Sequence, residues 1–281
     1  MTPDVIARIP ALAALDPQSI HVRPMCGQTN AMFALATPVG GFALRLPRPG
    51  AASTVDRPGE IEVLRAVADL GITPPPLFFD ERDGTMLTRI EQGRHVRSRA
   101  SLRSDRPAAA KLGKCLRLLH DSPIQLAWTF RAAEVMAAYQ DPIDDPVLRT
   151  GLLELAHRLD DSVECRVPCH DDVHAGNILW QGSRPWLIDW EYAGMNDPAF
   201  DLATAKIELN LDHGAFAALL AGWGRDDAFW RARIDDQMVL AHGIAGGWYL
   251  FQGAALDDQE KIQQGRIHLE RAARLFRHGR G

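Results

Sequence analysis

The stretch from Cys169 to Asp201 constrains this chain more than any other. It runs Cys169-His170-Asp171-Asp172-Val173-His174-Ala175-Gly176-Asn177-Ile178-Leu179. After a short gap it continues Trp186-Leu187-Ile188-Asp189-Trp190-Glu191-Tyr192, then Asn196-Asp197-Pro198-Ala199-Phe200-Asp201. Asn177 follows Asp172 by five residues, and Asp189 follows Asn177 by twelve. The apolar run Trp186-Leu187-Ile188 reads as a strand that holds Asp189 rigidly at its end. Loop and strand elements therefore break the helical texture around them from Val167 to Trp190.

On either side of that segment the chain has two textures. Residues 1 to about 90 read as mixed strand and turn with one helix. Ala31 to Thr37 and Gly41 to Leu46 are apolar runs split by Pro38-Val39-Gly40-Gly41, a hairpin pattern. Gly59 to Leu70 carries Ile61, Leu64, Val67 and Ala68 at helical spacing and stops at Gly71. Pro74-Pro75-Pro76 enforces extended chain, and Asp83-Gly84 between Leu77-Phe78-Phe79 and Thr85-Met86-Leu87-Thr88 predicts a second hairpin. From about residue 92 helices dominate: Ala108 to His120, Arg131 to Tyr139, Val147 to Leu159, Phe200 to Leu209, Phe216 to Trp223, Ala228 to Gln252 and Gln259 to His278. The expectation is an α+β chain with a small strand-rich lobe, 1–91, that binds a nucleotide, and a larger, mainly helical lobe, 92–281, that carries catalysis and the acceptor.

The Asp–Asn–Asp spacing is that of a kinase catalytic loop. Phosphoryl transfer is mostly positioning and charge neutralisation, and oxygen ligands on rigid backbone supply both. Asp172 is the candidate base, ionised at neutral pH and able to take a hydroxyl proton. Asn177 and Asp189 offer the sparse, hard oxygen set that Mg²⁺ accepts alongside phosphate oxygens. His170 reads as a residue that orients the loop, and His174 has no assigned role. Cys165, Cys169, His170 and His174 invite a zinc reading. The adjacency of Cys169 and His170 argues against it, because structural zinc ligands come from separated knuckles. Cys26-Gly27-Gln28-Thr29-Asn30 precedes the first hairpin, and Gly27 would let backbone N–H groups approach phosphates. Arg45, a cation on an otherwise apolar strand, calls for a charge partner, which Glu60 can provide while Arg45 contacts nucleotide phosphates.

These residues resemble the choline/ethanolamine kinase (LicA-type) branch of the aminoglycoside phosphotransferase-like kinase superfamily, from about Cys26 to Gln252. His170 to Leu179 marks the superfamily, and Leu187 to Asp201 looks more like bacterial choline kinases than antibiotic kinases. The resemblance implies a bilobal protein-kinase-like fold and transfer of the ATP γ-phosphoryl to a small alcohol. It places Gly27, Gln28, Thr29 and Asn30 in the phosphate loop, with Cys26 where the family has its first Gly, and Arg45 where protein kinases carry Lys. It sets Thr88 to Glu91, with the backbone of Ile90, at the hinge that holds adenine. A quaternary ammonium must be held by aromatic faces and negative charge. Tyr192, Glu208, Trp248 and Tyr249 are the candidates, with Glu191 in support. Ala245 stands where some choline kinases have a further Trp. The implied reaction is ATP- and Mg²⁺-dependent phosphorylation of choline or a similar amino alcohol. The alternatives are ethanolamine, thiamine or an aminoglycoside as acceptor, or a nucleotide-binding pseudokinase. Asp141 to Asp145 and Asp226-Asp227 keep the aminoglycoside open.

Composition excludes several other classes. The 281 residues carry a net charge of −5 and are 46% apolar, an ordinary globular balance that disfavours nucleic acid as partner. The arginines from Arg94 to Arg106 read as a solvated linker and helix start, since no aromatic residues interleave among them. No window of about 18 apolar residues predicts a membrane span. Met1 to Pro10 lacks the apolar stretch of a secretory signal. Four cysteines in a chain of this length do not make a disulfide framework. The chain reads as cytoplasmic; a homodimer is left open.

Overall fold

A computed structural model describes residues 3–25, 30–47, 57–90 and 93–278. The chain divides into two compact units, one formed by Met1–Ser98 with Ala175–Ala193, the other by Arg99–His174 with Gly194–Gly281. The strand-rich part and the larger helical part expected of a protein-kinase-like fold are both present.

The first unit opens with helices α1 (Pro3–Arg8) and α2 (Pro10–Ala13) and then forms a five-stranded antiparallel sheet. Its strands are β1 (His21–Met25), β2 (Asn30–Thr37), β3 (Gly40–Pro47), β4 (Pro76–Phe79) and β5 (Met86–Ile90), in the order β1-β2-β3-β5-β4. Both predicted hairpins are there, β2 with β3 and β4 with β5. Helix α3 (Arg57–Ala68) fills the predicted helical segment. Ile9, Leu12, Ile20, Leu35, Phe42, Leu44 and Leu87 form the buried cluster beside the sheet. Two elements correct the expectation of a single helix here. Both α1 and α2 begin with proline, whose fixed φ suits a first helical turn, and both are too short to show a periodic pattern. Strand β1 also escaped notice: all five residues are exposed and Pro24 interrupts them, which suits only an edge strand.

A second sheet in this unit joins β6 (Arg94–Val96), β8 (Ile178–Gln181) and β9 (Arg184–Leu187) in the order β6-β8-β9. Here the expected solvated linker is corrected. Arg94 lies 3.9 Å from the ring centre of Trp186, which Arg184 also approaches at 4.3 Å, and Arg97 lies 5.3 Å from that of Trp180. The sheet brings in aromatic partners from more than 80 residues away, invisible in the local sequence.

The second unit holds α4 (Arg99–Leu102), α5 (Arg106–His120), α6 (Ala132–Tyr139), α7 (Pro146–Ser162), α8 (Pro198–Glu208), α9 (His213–Trp223), α10 (Ala228–Leu256) and α11 (Gln259–His278). A two-stranded ladder joins β7 (Val167–Cys169) to β10 (Gly194–Asn196). Aspartates start many of these helices. The side chains of Asp105, Asp145, Asp197, Asp212 and Asp227 accept first-turn backbone N–H groups of α5, α7, α8, α9 and α10. Met136, Leu152, Leu155, Phe200 and Leu240 anchor the core. Helices α5 and α9 approach so closely that a Cβ on Gly222 would stand 2.0 Å from the Ala110 carbonyl oxygen. Among the described residues no helix is long and apolar enough to cross a membrane.

Candidate active site

In the second unit the motif's first half is held by a chain of buried hydrogen bonds. The β7–β10 ladder delivers the chain to His170. The backbone N–H groups of His170 and Asp171 donate to the two carboxylate oxygens of Asp201, at 2.9 and 2.8 Å. Asp201 Oδ2 is also 3.0 Å from His120 Nε2, and Trp223 Nε1 donates to His120 Nδ1 at 3.0 Å. Indole N–H can only donate, so the His120 proton sits on Nε2 and points at Asp201. Burial opposes ionisation of Asp201, but the His120 hydrogen bond and the His170 backbone N–H hold its carboxyl below the usual range. The backbone N–H of Asp172 donates to His170 Nδ1 at 3.3 Å, so His170 orients the loop. His174, to which no role was given, has Nε2 3.5 Å from Asp172 Oδ2. The Asp172 side chain is 36% exposed, tied at its backbone and reachable at its carboxylate.

His120, Cys169 and Asp201 are also the one cluster of three His, Cys or acidic side chains close enough to share a metal ion among the described residues. Both imidazole nitrogens are already engaged, leaving no lone pair for a cation. Burial, and after it the neighbouring Asp201 carboxylate, push the Cys169 thiol up, away from the thiolate a metal needs.

In the first unit, Asn177 ends a 3-10 turn (Ala175–Asn177) at the start of β8, and Asp189 follows β9. The N–H of Ile188 donates to the Asn177 carbonyl at 3.0 Å, so one hairpin carries both residues. Asn177 is buried, whereas the Asp189 side chain is 38% exposed and its backbone takes a left-handed φ of 66°. A backbone strained in this way is a common mark of functional positions. Arg45 lies opposite Met32 on β2 and Met86 on β5 and is buried with Glu60. Both guanidinium NH groups bind Glu60, NH2 at 2.8 Å, and Nε donates to the Gly84 carbonyl at 3.2 Å. NH1 lies 3.8 Å from Asp189 Oδ1. Burial would favour the neutral guanidine, yet the Glu60 bond and the charges of Glu60, Asp189 and Glu191 raise the Arg45 pKa, so the cation stays charged. Asn30 Nδ2 reaches Glu191 Oε2 at 3.5 Å, bringing together two residues assigned to different subsites. Ile90 ends β5 with its side chain exposed. Gly27, Gln28, Thr29 and Glu91 lie outside the described residues.

Tyr192 belongs to the first unit and is exposed. Glu208, Trp248 and Tyr249 belong to the second, where Trp248 meets Tyr249 edge-on at 5.0 Å. Burial raises the Glu208 carboxyl pKa. The charges of Arg99, His174 and Arg271 oppose that rise and Asp172 adds to it. Tyr249, raised first by burial, feels Glu208 and Asp172 as well. Glu208 and Tyr249 therefore share the electrostatic neighbourhood of Asp172, and sequence reasoning missed that Arg99 and Arg271 share it too. Of the carboxylates left open for an aminoglycoside, Asp145, Asp226 and Asp227 are engaged elsewhere. Asp145 and Asp227 cap helices, and Asp226 binds Arg231 at 2.6 Å.

Residues 23–235 match the phosphotransferase enzyme family (APH), and the chain belongs to that family. Thiamine kinase of Salmonella typhimurium is 32% identical over 165 residues, 56% of this chain and 59% of that protein. The chain thus spans less than two thirds of the curated relatives it matches. Among solved structures, a choline/ethanolamine kinase family protein from Mesorhizobium loti superposes with a TM-score of 0.83 at 24% identity, covering 97% of this chain and 92% of its own. Choline kinase LicA from Streptococcus pneumoniae gives 0.81 at 22% identity, with 98% of both chains covered. At these identities the likeness shows the fold, a protein-kinase-like one.

Proposed function

We propose that the chain is an ATP- and Mg²⁺-dependent kinase for a small cationic alcohol, with choline as the acceptor and phosphocholine as the product. The observation that carries this reading is the buried Arg45–Glu60 pair reaching toward the partly exposed Asp189. A buried ion pair adds little to stability for its own sake. A fixed cation beside a reachable carboxylate does suit nucleotide phosphates and their metal. The hard-oxygen donors Asn177 and Asp189, on one hairpin, fit Mg²⁺, which when bound neutralises phosphate charge.

On this reading the first unit binds the nucleotide. Arg45, kept in place by Glu60, steadies the phosphates; Gly27, Gln28, Thr29 and Asn30 close over them; the Ile90 backbone holds adenine. The second unit supplies Asp172, which orients the acceptor hydroxyl and takes its proton as the phosphoryl group transfers. Glu208, Trp248 and Tyr249 hold the cationic end of the acceptor, with Tyr192 and Glu191 in support.

Thiamine is the second reading, favoured by the 32% identity to thiamine kinases. Choline and thiamine share a hydroxyethyl arm on a compound with a quaternary nitrogen, so one site chemistry serves both. Trp248→Ala tests the acceptor site. The acceptor KM should rise at least tenfold with the ATP KM little changed; equal changes in both would assign Trp248 to packing.

A further inference from the structure

The catalytic loop contains one carboxyl group that none of the roles above uses. Asp171 precedes the proposed base and adopts a left-handed φ of 62°, a conformation that favours glycine and tolerates aspartate. Four carboxyl groups converge here, and three are provided for. Asp201 receives two backbone N–H groups and His120. Asp197 binds Arg233 at 2.6 Å and Gln237 at 2.8 Å. Asp172 reaches solvent and His174. Asp171 has a different environment. Its Oδ1 accepts from Asn196 Nδ2 at 2.7 Å, and its Oδ2 is sealed from solvent with no partner among the described residues. The Asn196 amide cannot be turned to change this, because its oxygen already accepts the Asp197 N–H at 2.7 Å.

An ionised Asp171 would place an unpaired oxygen charge in a dry site among three other carboxylates. That arrangement is far more costly than a buried hydroxyl. We infer that Asp171 works as a neutral carboxylic acid, a positioning residue whose proton lets the catalytic loop pack against Asp201 and Asn196 without a further buried charge. The groups facing it are consistent: Asp201 from α8, Asn196 from β10, Asp197 at the α8 cap, His170 and Asp172 from its own loop, and the Cys169 thiol from β7. Burial, then Asp201, raises its carboxyl well above the usual range, against the Asn196 bond. The positioning role rests on Asp172 being the base; the proton on Asp171 does not.

The test is a folding measurement that needs no substrate. Where the native carboxyl keeps a proton that the unfolded chain has lost, the wild-type protein loses stability as pH rises. Urea unfolding of wild type, Asp171→Asn and Asp171→Gly would be followed from pH 5 to 8.5. Asp171→Asn mimics the neutral acid, and Asp171→Gly also relieves the left-handed backbone, so either variant decides alone. The folding constant of each variant relative to wild type should grow with pH, by up to about tenfold per unit. A ratio constant with pH, or one that falls, overturns the inference. Loss of kinase activity in Asp172→Ala is read separately, so failure of either claim leaves the other standing.

Discussion

Removing the charge of Glu60 probes the centre of the first unit. The Arg45 and Glu60 side chains are 3% and 1% exposed, so neither ion can turn to water. Glu60→Gln keeps the shape and one acceptor oxygen but leaves Arg45 with the Gly84 carbonyl and, at 3.8 Å, Asp189. Breaking a buried pair from one side costs about 3–5 kcal/mol. Because Asp189 takes up part of the stranded charge, the loss should sit near the lower bound, about 3 kcal/mol. Urea unfolding followed by tryptophan fluorescence would show a lower midpoint at unchanged slope. The double variant Arg45→Met/Glu60→Leu removes both ions and should recover most of that stability while losing turnover. A Glu60→Gln loss below about 1 kcal/mol would refute the reasoning. So would a double variant as unstable as the single, since the cost could not then come from an unpaired buried charge.

Three further outcomes follow from the second unit. His120→Ala removes one of the three donors to Asp201 and frees the Trp223 N–H, so it should cost about 1–3 kcal/mol in urea and lower kcat more than the ATP KM. Gly222→Ala drives a methyl group into the Ala110 carbonyl and should cost at least about 1–3 kcal/mol, read as a lower melting temperature. His242 and His268 meet through their Nδ1 atoms at 3.1 Å, and burial first, with nearby positive charge, lowers their pKa values to about 3 and about 4. The unfolded chain binds more protons below about pH 6.5, so stability should fall from there downward. His242→Asn/His268→Asn should flatten that acid slope in urea midpoints, and an unchanged slope would assign it to other groups.

The sequence carried the site's order but not its support. Asp172, Asn177 and Asp189 stood out as candidates because they lie within one short segment, and the long helices were legible because their apolar residues recur at helical spacing. The pairing of Arg45 with Glu60 was legible from chemistry, as a cation on an apolar strand must find an anion. Trp223, His120 and Asp201 were not, since they are joined across 103 and 81 residues and nothing local marks them as partners. Strands β6, β7 and β10 hold three residues each, too few for alternation to show. Arg99 and Arg271 looked like surface charge in sequence; only packing places them in the field of Glu208.

The most direct test of the central claim is release of ADP from ATP and Mg²⁺ by the purified protein with choline, thiamine, ethanolamine, kanamycin or no acceptor. The account predicts turnover that requires choline or thiamine and disappears in Asp172→Ala while ATP binding persists. Acceptor-dependent turnover confined to kanamycin, turnover undiminished in Asp172→Ala, or none with choline or thiamine would contradict it.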